Sequence, residues 1–317
     1  MDNLAHGLSI VIPVYNSAES LPLLAGRLKP ALEALGRPFE VILINDGSRD
    51  RSWDTVQRLA QEHPWVIGID LMRNYGQHNA LLCGIRAARF ETIVTMDDDL
   101  QNPPEEIAKL LAKLNEGYDV VYGTPLTEQH GLWRDLASRI TKTALQSAAG
   151  AEVARKVSAF RIFRTNLREA FASYRSPYIS VDVLLTWATT RFAAIQVEHD
   201  PRKLGKSSYT FRKLVTHALN MLTGYSSAPL RLASLIGFGF TLFGIGVLAY
   251  VVGRYLALGT SVAGFPFLAS VIAIFSGAQL FALGIMGEYL SRIHFRTMDR
   301  PSYTVRSLSP SKQGEPT

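Results

Sequence analysis

Residues 94–106 read VTMDDDLQNPPEE, three aspartates directly behind an apolar run with two prolines after them. Carboxylates packed this closely repel one another and raise each other's pKa unless a cation sits among them. Asp97 and Asp99 are two residues apart, so in an extended segment their side chains would share one side. Asp98 would then point elsewhere, free to contact another part of a ligand. Mg²⁺ commonly takes only one or two protein carboxylates and completes its shell with substrate phosphates and water. The pattern therefore points to a divalent ion on a phosphate-bearing ligand. The bland alternative is a solvated acidic turn, with Asp99 or Asn102 capping the next helix. No GxxxxGK[ST] loop is present, and no GxGxxG follows the first apolar run, so the usual P-loop and dinucleotide fingerprints are excluded.

The acidic motif needs elements to hold it. Residues 8–123 alternate between short apolar runs and amphipathic stretches. LSIVIPVYN, FEVILIN, WVIGIDL, TIVTM and DVVYG read as buried strands. Between them Ala18–Leu35, Ser52–His63, Gly76–Ala88 and Pro104–Asn115 have helical spacing. This alternation predicts an α/β, doubly wound, mostly parallel sheet, which binds ligands beyond the carboxyl ends of its strands. Three polar clusters fall at those ends: Tyr15–Glu19, Asn45–Ser48 and Asp97–Gln101. Their convergence would place the acidic motif in a cleft, which favours the ion over the solvated turn. Downstream, Trp133–Ala149 reads as an amphipathic helix, VSAFRIF and AAIQVEH as strands, and DPRKLGKSSYTF as a basic loop.

The C-terminal third changes character. Leu232–Gly253 and Ser261–Gly287 carry no charged residue, and each is long enough to cross a bilayer core. The expected organisation is a domain over 1–210, an amphipathic interfacial helix and linker over 211–228, and a transmembrane hairpin over 229–290. Its spans would be about 232–253 and 264–287, joined by a short Arg254–Thr260 connection, with a tail over 291–317. Arg212, Lys213 and Arg231 precede the first span, and Arg292, Arg296 and Arg300 follow the second. The positive-inside rule then puts the N-terminal domain and the tail in the cytoplasm. The tail end SLSPSKQGEPT is polar and Pro/Ser-rich and reads as disordered. The N-terminus shows no cleavable signal pattern. The 317 residues carry a net charge of +6, but no Lys/Arg tract interleaved with aromatics, so a nucleic-acid partner is not expected. The lone cysteine, Cys83, lies in an apolar helical pattern and reads as a buried structural thiol.

IPVYNSAESL, LINDGSRDRS, RNYGQHNAL and MDDDLQNPPEEI occur in this order. Together they resemble the family 2 glycosyltransferases of GT-A fold. Within these, the chain looks most like the polyprenyl-phosphate glycosyltransferases, the group of the dolichol-phosphate mannose synthases and of the GtrB-like and ArnC-like (undecaprenyl-phosphate aminoarabinose) transferases. The resemblance covers most of the chain, including the paired C-terminal helices. It implies that Pro13, Tyr15 and Glu19 line a base and ribose pocket, and that Asp46 accepts a hydrogen bond from the nucleobase. It also implies that Asp97 and Asp99 hold Mg²⁺ or Mn²⁺ on the diphosphate, with Gln101 as a further ligand and Asp98 against the nucleotide. Arg134 and Ser138, one helical turn apart, and Arg202 and Ser207 match the acceptor-phosphate positions. The chain departs from the pattern at Ser17, where many relatives are acidic. It departs again at GTPLTEQ, where relatives often carry an arginine, and at Gly205-Lys206-Ser207-Ser208, where G-x-S-K is common.

The implied activity is inverting transfer of one sugar from a nucleotide-diphosphate sugar, UDP favoured, to a polyprenyl (undecaprenyl) phosphate. It would take place at the cytoplasmic face of a bacterial inner membrane, by an integral membrane protein that is tetrameric if it follows the family. Two alternatives stand beside it. A processive polysaccharide synthase would need a Q-x-x-R-W motif, which is absent. A catalytically inactive scaffold would have no use for intact Asp46, Asp97 and Asp99.

Overall fold

The computed structural model describes residues 5–125, 157–175, 179–200, 228–258, 264–298 and 300–310. Strand and helix alternate as the apolar pattern requires: β1 (Ala5–Val14), α1 (Ser20–Glu33), β2 (Phe39–Asn45), α2 (Ser52–Glu62), β3 (Val66–Leu71), α3 (Gln77–Ala87) and β4 (Phe90–Thr95). Next come a 3-10 turn over Pro104–Glu106, α4 (Ile107–Asn115), β5 (Val120–Pro125), β6 (Arg161–Arg164) and a 3-10 stretch over Thr165–Phe171. The chain ends with α5 (Val181–Ala188), β7 (Phe192–Val197), α6 (Ala228–Leu258), α7 (Phe265–Thr297) and β8 (Val305–Ser309).

One eight-stranded sheet runs in the order β7-β5-β6-β4-β1-β2-β3-β8. β1 pairs in parallel with both β2 and β4, and β2 with β3. β6 lies antiparallel between β4 and β5, and β8 closes the other edge antiparallel to β3. The expected mostly parallel, doubly wound sheet is therefore present. Leucines of α1, α2 and α4 cover one face, while α3 and α5 cover the other. Because the chain steps outward from β1 to β3 and then returns to β4, the order reverses at β1. In sheets of this kind ligands bind in the crevice at such a reversal point, here beyond the carboxyl ends of β1 and β4.

Two expectations change. The tail is not wholly disordered: Val305–Ser309 joins the main sheet, with Leu308 opposite Ile69 and Ser307 opposite Asp70. Backbone bonds from the open β3 edge supply what this Ser-rich composition lacks, which is how edge strands recruit segments of weak intrinsic preference. In addition, α6 continues through Arg254 to Leu258, so Arg254 belongs to the helix and not to the connection. The expected helix over Trp133–Ala149 and the interfacial helix over 211–222 lie outside the described residues.

Beyond the sheet, α6 and α7 pack on each other through Phe240 and Phe275, ring centroids 5.4 Å apart, with Gly244 beneath Phe275. Leu230–Ala257 is long and apolar enough to cross a membrane. It is no soluble core helix, since Leu235 is 67% exposed and Leu256 78%. Cys83 is buried in α3 as expected. Burial pushes its thiol up to about 12.

Helix α3 seats closely on β1 and β2 at Gly84. A Cβ there would lie 2.4 Å from Val11 Cγ1 and 2.7 Å from Ile44 Cδ1. Gly84→Val is therefore expected to destabilise the protein by about 1–3 kcal/mol through overpacking. Thermal unfolding of the detergent-solubilised chain measures it, and an unchanged midpoint would contradict the close seating.

Candidate functional site

The three polar clusters meet at the crevice and hold one another. After β1 the backbone turns through Asn16, which has a positive φ of 55°. Asn16 N–H donates to Ser48 Oγ at 3.0 Å, and its side-chain oxygen accepts from Arg49 N–H at 2.8 Å. Ser17 N–H donates to Ser52 Oγ at 2.7 Å, and Ala18 N–H to Asp50 at 3.2 Å. The turn after β1 is thus stitched to the turn after β2 by side chains of the Asp-Gly-Ser stretch and its neighbours. Short polar side chains do this well because they reach nearby backbone groups without leaving their own turn.

Asp46 anchors a third segment. Its buried carboxylate accepts Tyr75 N–H at 2.7 Å and Gly76 N–H at 2.9 Å, and its carbonyl accepts Asn74 Nδ2 at 3.0 Å. Burial pushes this carboxyl above its ordinary pKa, and the two N–H donors pull it part of the way back. Gly47 makes the approach possible. Its φ is +64°, and a Cβ would meet Asn74 N at 2.4 Å. Asp46 therefore fixes the loop leading into α3, and any contact with a base would use the lone pairs that remain.

The acidic turn differs from its expected shape. β4 ends at Thr95, and the chain bends through Asp98–Leu100, with Leu100 at φ 62°. The two-residue spacing of Asp97 and Asp99 therefore does not place them on one side by strand geometry, because the backbone is no longer extended there. Each carboxylate takes a different partner instead. Asp97 Oδ1 accepts Gln77 Nε2 at 2.7 Å, and Asp99 Oδ1 accepts the N–H of Gln101 at 3.1 Å. Asp98 is not free. Its Oδ2 accepts Tyr15 N–H at 3.4 Å, and it also accepts the Ser17 hydroxyl. Burial pushes Asp98 up to about 6, the Ser17 and Tyr15 bonds oppose that, and the charge of Asp99 adds to it. Like-charge crowding is thus present here.

Tyr15 is 43% exposed at the rim. Glu19 is exposed just before α1, and Pro13 is buried within β1, level with Ile44. Pro13 therefore shapes the strand end and offers little surface. The backbone of Gln101 accepts Asp200 N–H at 2.8 Å. Arg134, Ser138, Arg202 and Ser207 lie outside the described residues. Among the described residues no group of three or more His, Cys, Asp or Glu could hold a metal by itself. Carboxylates are the donor type that a hard divalent cation takes, and Asp97 and Asp99 both stand in this turn. Sequence reasoning missed Gln77, which orients Asp97. Its signal was the RNYGQHNAL stretch opening a helix at the crevice.

The family model for Glycosyl transferase family 2 matches residues 9–171. A Pseudomonas aeruginosa (strain LESB58) protein named undecaprenyl-phosphate 4-deoxy-4-formamido-L-arabinose transferase is 36% identical over 304 residues, covering 95% of this chain and 90% of its own. A protein of the same name from Yersinia enterocolitica serotype O:8 is 36% identical over 311 residues, covering 97% and 95%. Among solved structures, glucosyl-3-phosphoglycerate synthase from Mycobacterium tuberculosis, in complex with Mn²⁺, UDP-glucose and phosphoglyceric acid, superposes with a TM-score of 0.49 at 18% identity, covering 68% and 80%. An α/β sheet with an acidic turn at its reversal point, relatives that align over nearly the whole chain and the match over residues 9–171 lead to one assignment: the chain belongs to glycosyl transferase family 2.

Proposed function

We propose that this chain transfers one sugar from a nucleotide-diphosphate sugar, UDP in preference to GDP, to undecaprenyl phosphate with inversion at the anomeric carbon. The observation that carries this reading is the acidic turn hydrogen-bonded across the crevice to the turn after β1. The names of the relatives supply the acceptor and suggest a 4-deoxy-4-formamido-L-arabinose donor as the first to test.

In this reading Tyr15 and Glu19 border the nucleoside and Asp46 holds the loop over it. Asp98 locks the turn that Tyr15 belongs to. Asp97 and Asp99 hold Mg²⁺ or Mn²⁺, with Gln101 beside them. When bound, the ion stabilises charge on the leaving diphosphate as a Lewis acid. The acceptor is a phosphate monoester with a second pKa near 6, so it is ionised at neutral pH and needs no dedicated base. Arg134, Ser138, Arg202 and Ser207 position it through charge-assisted bonds. Support for a nearby acceptor loop comes from its root. Asp200 bonds to the Gln101 carbonyl, and Arg27 clasps both Asp200, at 3.0 Å, and Glu105, at 2.9 Å. Asp200, the last described residue before Arg202, therefore stands against the acidic turn.

The pairing of β8 with β3 also bears on topology. A tail that joins the catalytic sheet must lie on the same side of the membrane as that sheet, so the number of crossings between them is even. If α6 spans, α7 spans as well. Together with Arg231, Arg292, Arg296 and Arg300, this supports a hairpin with both ends cytoplasmic.

Two experiments follow. With undecaprenyl phosphate present, a sugar-nucleotide panel is expected to release UDP from a UDP-sugar and little GDP from GDP-mannose. EDTA should abolish release and Mn²⁺ or Mg²⁺ restore it. Asp99→Asn should lose most turnover with the fold intact, because an amide is a poorer ligand for a hard cation. Full release in excess chelator would overturn the metal role. Separately, a tag at Thr317 and one in the 259–263 connection should report opposite sides of the membrane. The same side for both would overturn the hairpin.

A further inference from the structure

Directly beneath the acidic turn lies a second charged group, and this one is buried. Thr95, Arg161 and Tyr122 stand in a row across β4, β6 and β5, each opposite the next in the ladder. Arg161 is 1% exposed, and Thr95 and Tyr122 are fully buried. Arg161 Nε donates to Thr95 Oγ1 at 2.9 Å, and Thr95 Oγ1 donates to the Ala159 carbonyl at 2.8 Å. Arg161 Nη1 donates to Oδ1 of Asp182, in the first turn of α5. Tyr122 OH donates to the same oxygen at 3.2 Å.

This group is joined to the root of the acidic turn through Thr95, the last residue of β4. Asp97 follows Thr95 by two residues, just past the end of β4, and its charge adds, after Asp182 and Tyr122, to what holds the Arg161 guanidinium charged against burial. From the side, α3 joins the acidic turn to α5. Gln77 Nε2 holds Asp97, and the next residue, His78, accepts Val181 N–H through Nδ1 at 3.4 Å. Two carboxylates thus act on Arg161, one by contact and one by charge. Asp182 is bonded to it, and Asp97 is the one that a cation would need. A buried guanidinium cannot remain uncompensated, so it takes whichever carboxylate is offered.

We propose that Asp182 is a positioning residue for the donor site: by neutralising Arg161 it leaves Asp97 available to a divalent cation. The inference rests on the reading that Asp97 holds that cation. Its physical content is a matter of sign. With Asp182 in place, the floor under Asp97 is neutral. Without it, the unit positive charge of Arg161, held beside Thr95, both claims Asp97 and repels the incoming ion. A buried pair that served the fold alone would leave cation affinity unmoved wherever the protein still folded.

The test is calorimetric binding of UDP to the full-length, detergent-solubilised protein, with Mn²⁺ and again in EDTA. Asp182→Asn keeps the size and an oxygen for Arg161 and Tyr122 but loses the charge. It should weaken Mn²⁺-dependent UDP binding by at least about tenfold, the scale of one uncompensated charge near a divalent ion in a partly buried site. UDP binding in EDTA should stay unchanged. Asp182→Glu should retain affinity, and the double variant Arg161→Met/Asp182→Asn, neutral again, should recover it to within about threefold of wild type, the non-additivity expected of coupled neighbours. A folded Asp182→Asn protein with wild-type Mn²⁺-dependent affinity would overturn the proposal, as would a double variant no better than the single. If Asp182→Asn does not fold, Arg161→Gln decides. It leaves the negative charge of Asp182 under the site and should bind Mn²⁺ with UDP more tightly than wild type, whereas unchanged or weaker binding counts against the idea. Asp97→Asn separates the two layers of the argument. If it keeps full Mn²⁺-dependent affinity, the donor-site reading itself fails, whatever the Asp182 variants do.

Discussion

The structure is organised around one electrostatic conflict, three adjacent carboxylates at the end of a buried strand. Left together in a partly desolvated place, adjacent carboxylates repel one another. The fold separates them by bending the chain at Leu100 and giving each a different partner: Gln77, the Tyr15–Ser17 turn and the Gln101 backbone. Those partners come from the turn after β1, the start of α3 and the acidic turn itself. Resolving the conflict is thus the same act as assembling the crevice. Burial still raises the Asp98 carboxyl, and the charge of Asp99 adds a smaller part.

The crevice also depends on support further out. Asp46 ties the turn after β2 to the loop entering α3, and Gly84 lets that helix lie close enough on the sheet to be reached. On the opposite edge, Arg306 donates to the Met72 carbonyl at 2.7 Å and pairs with Asp70 at 3.5 Å, while Asp70 holds Asn45 at 2.7 Å. The segment following the last long helix therefore ends in contact with a residue at the root of the Asp-Gly-Ser turn. The chain beyond α7 is thus tied back to the sheet. This suits a site whose proposed lipid acceptor does not leave the bilayer.

Much of this was legible in the residues. Strand and helix alternation placed the five parallel-type runs and the three clusters at their ends, because buried parallel strands are continuous apolar runs. What failed did so for physical reasons. The side-by-side placement of Asp97 and Asp99 assumed an extended backbone, and no local signal marked Leu100, a residue that rarely adopts positive φ. The strand over Val305–Ser309 was hidden because its stability comes from the β3 edge and not from its own composition. Arg161 and Asp182 are far apart in sequence, and only the antiparallel insertion of β6 brings them together beneath the acidic turn.

The most direct test of the central claim is the mass of the lipid product. Purified protein, a UDP-sugar, Mn²⁺ and undecaprenyl phosphate should yield a lipid heavier than the acceptor by one sugar residue, with a single phosphate retained. Free sugar with unmodified lipid would mean hydrolysis, and a ladder of several sugars would mean polymerisation. Either result would contradict the account.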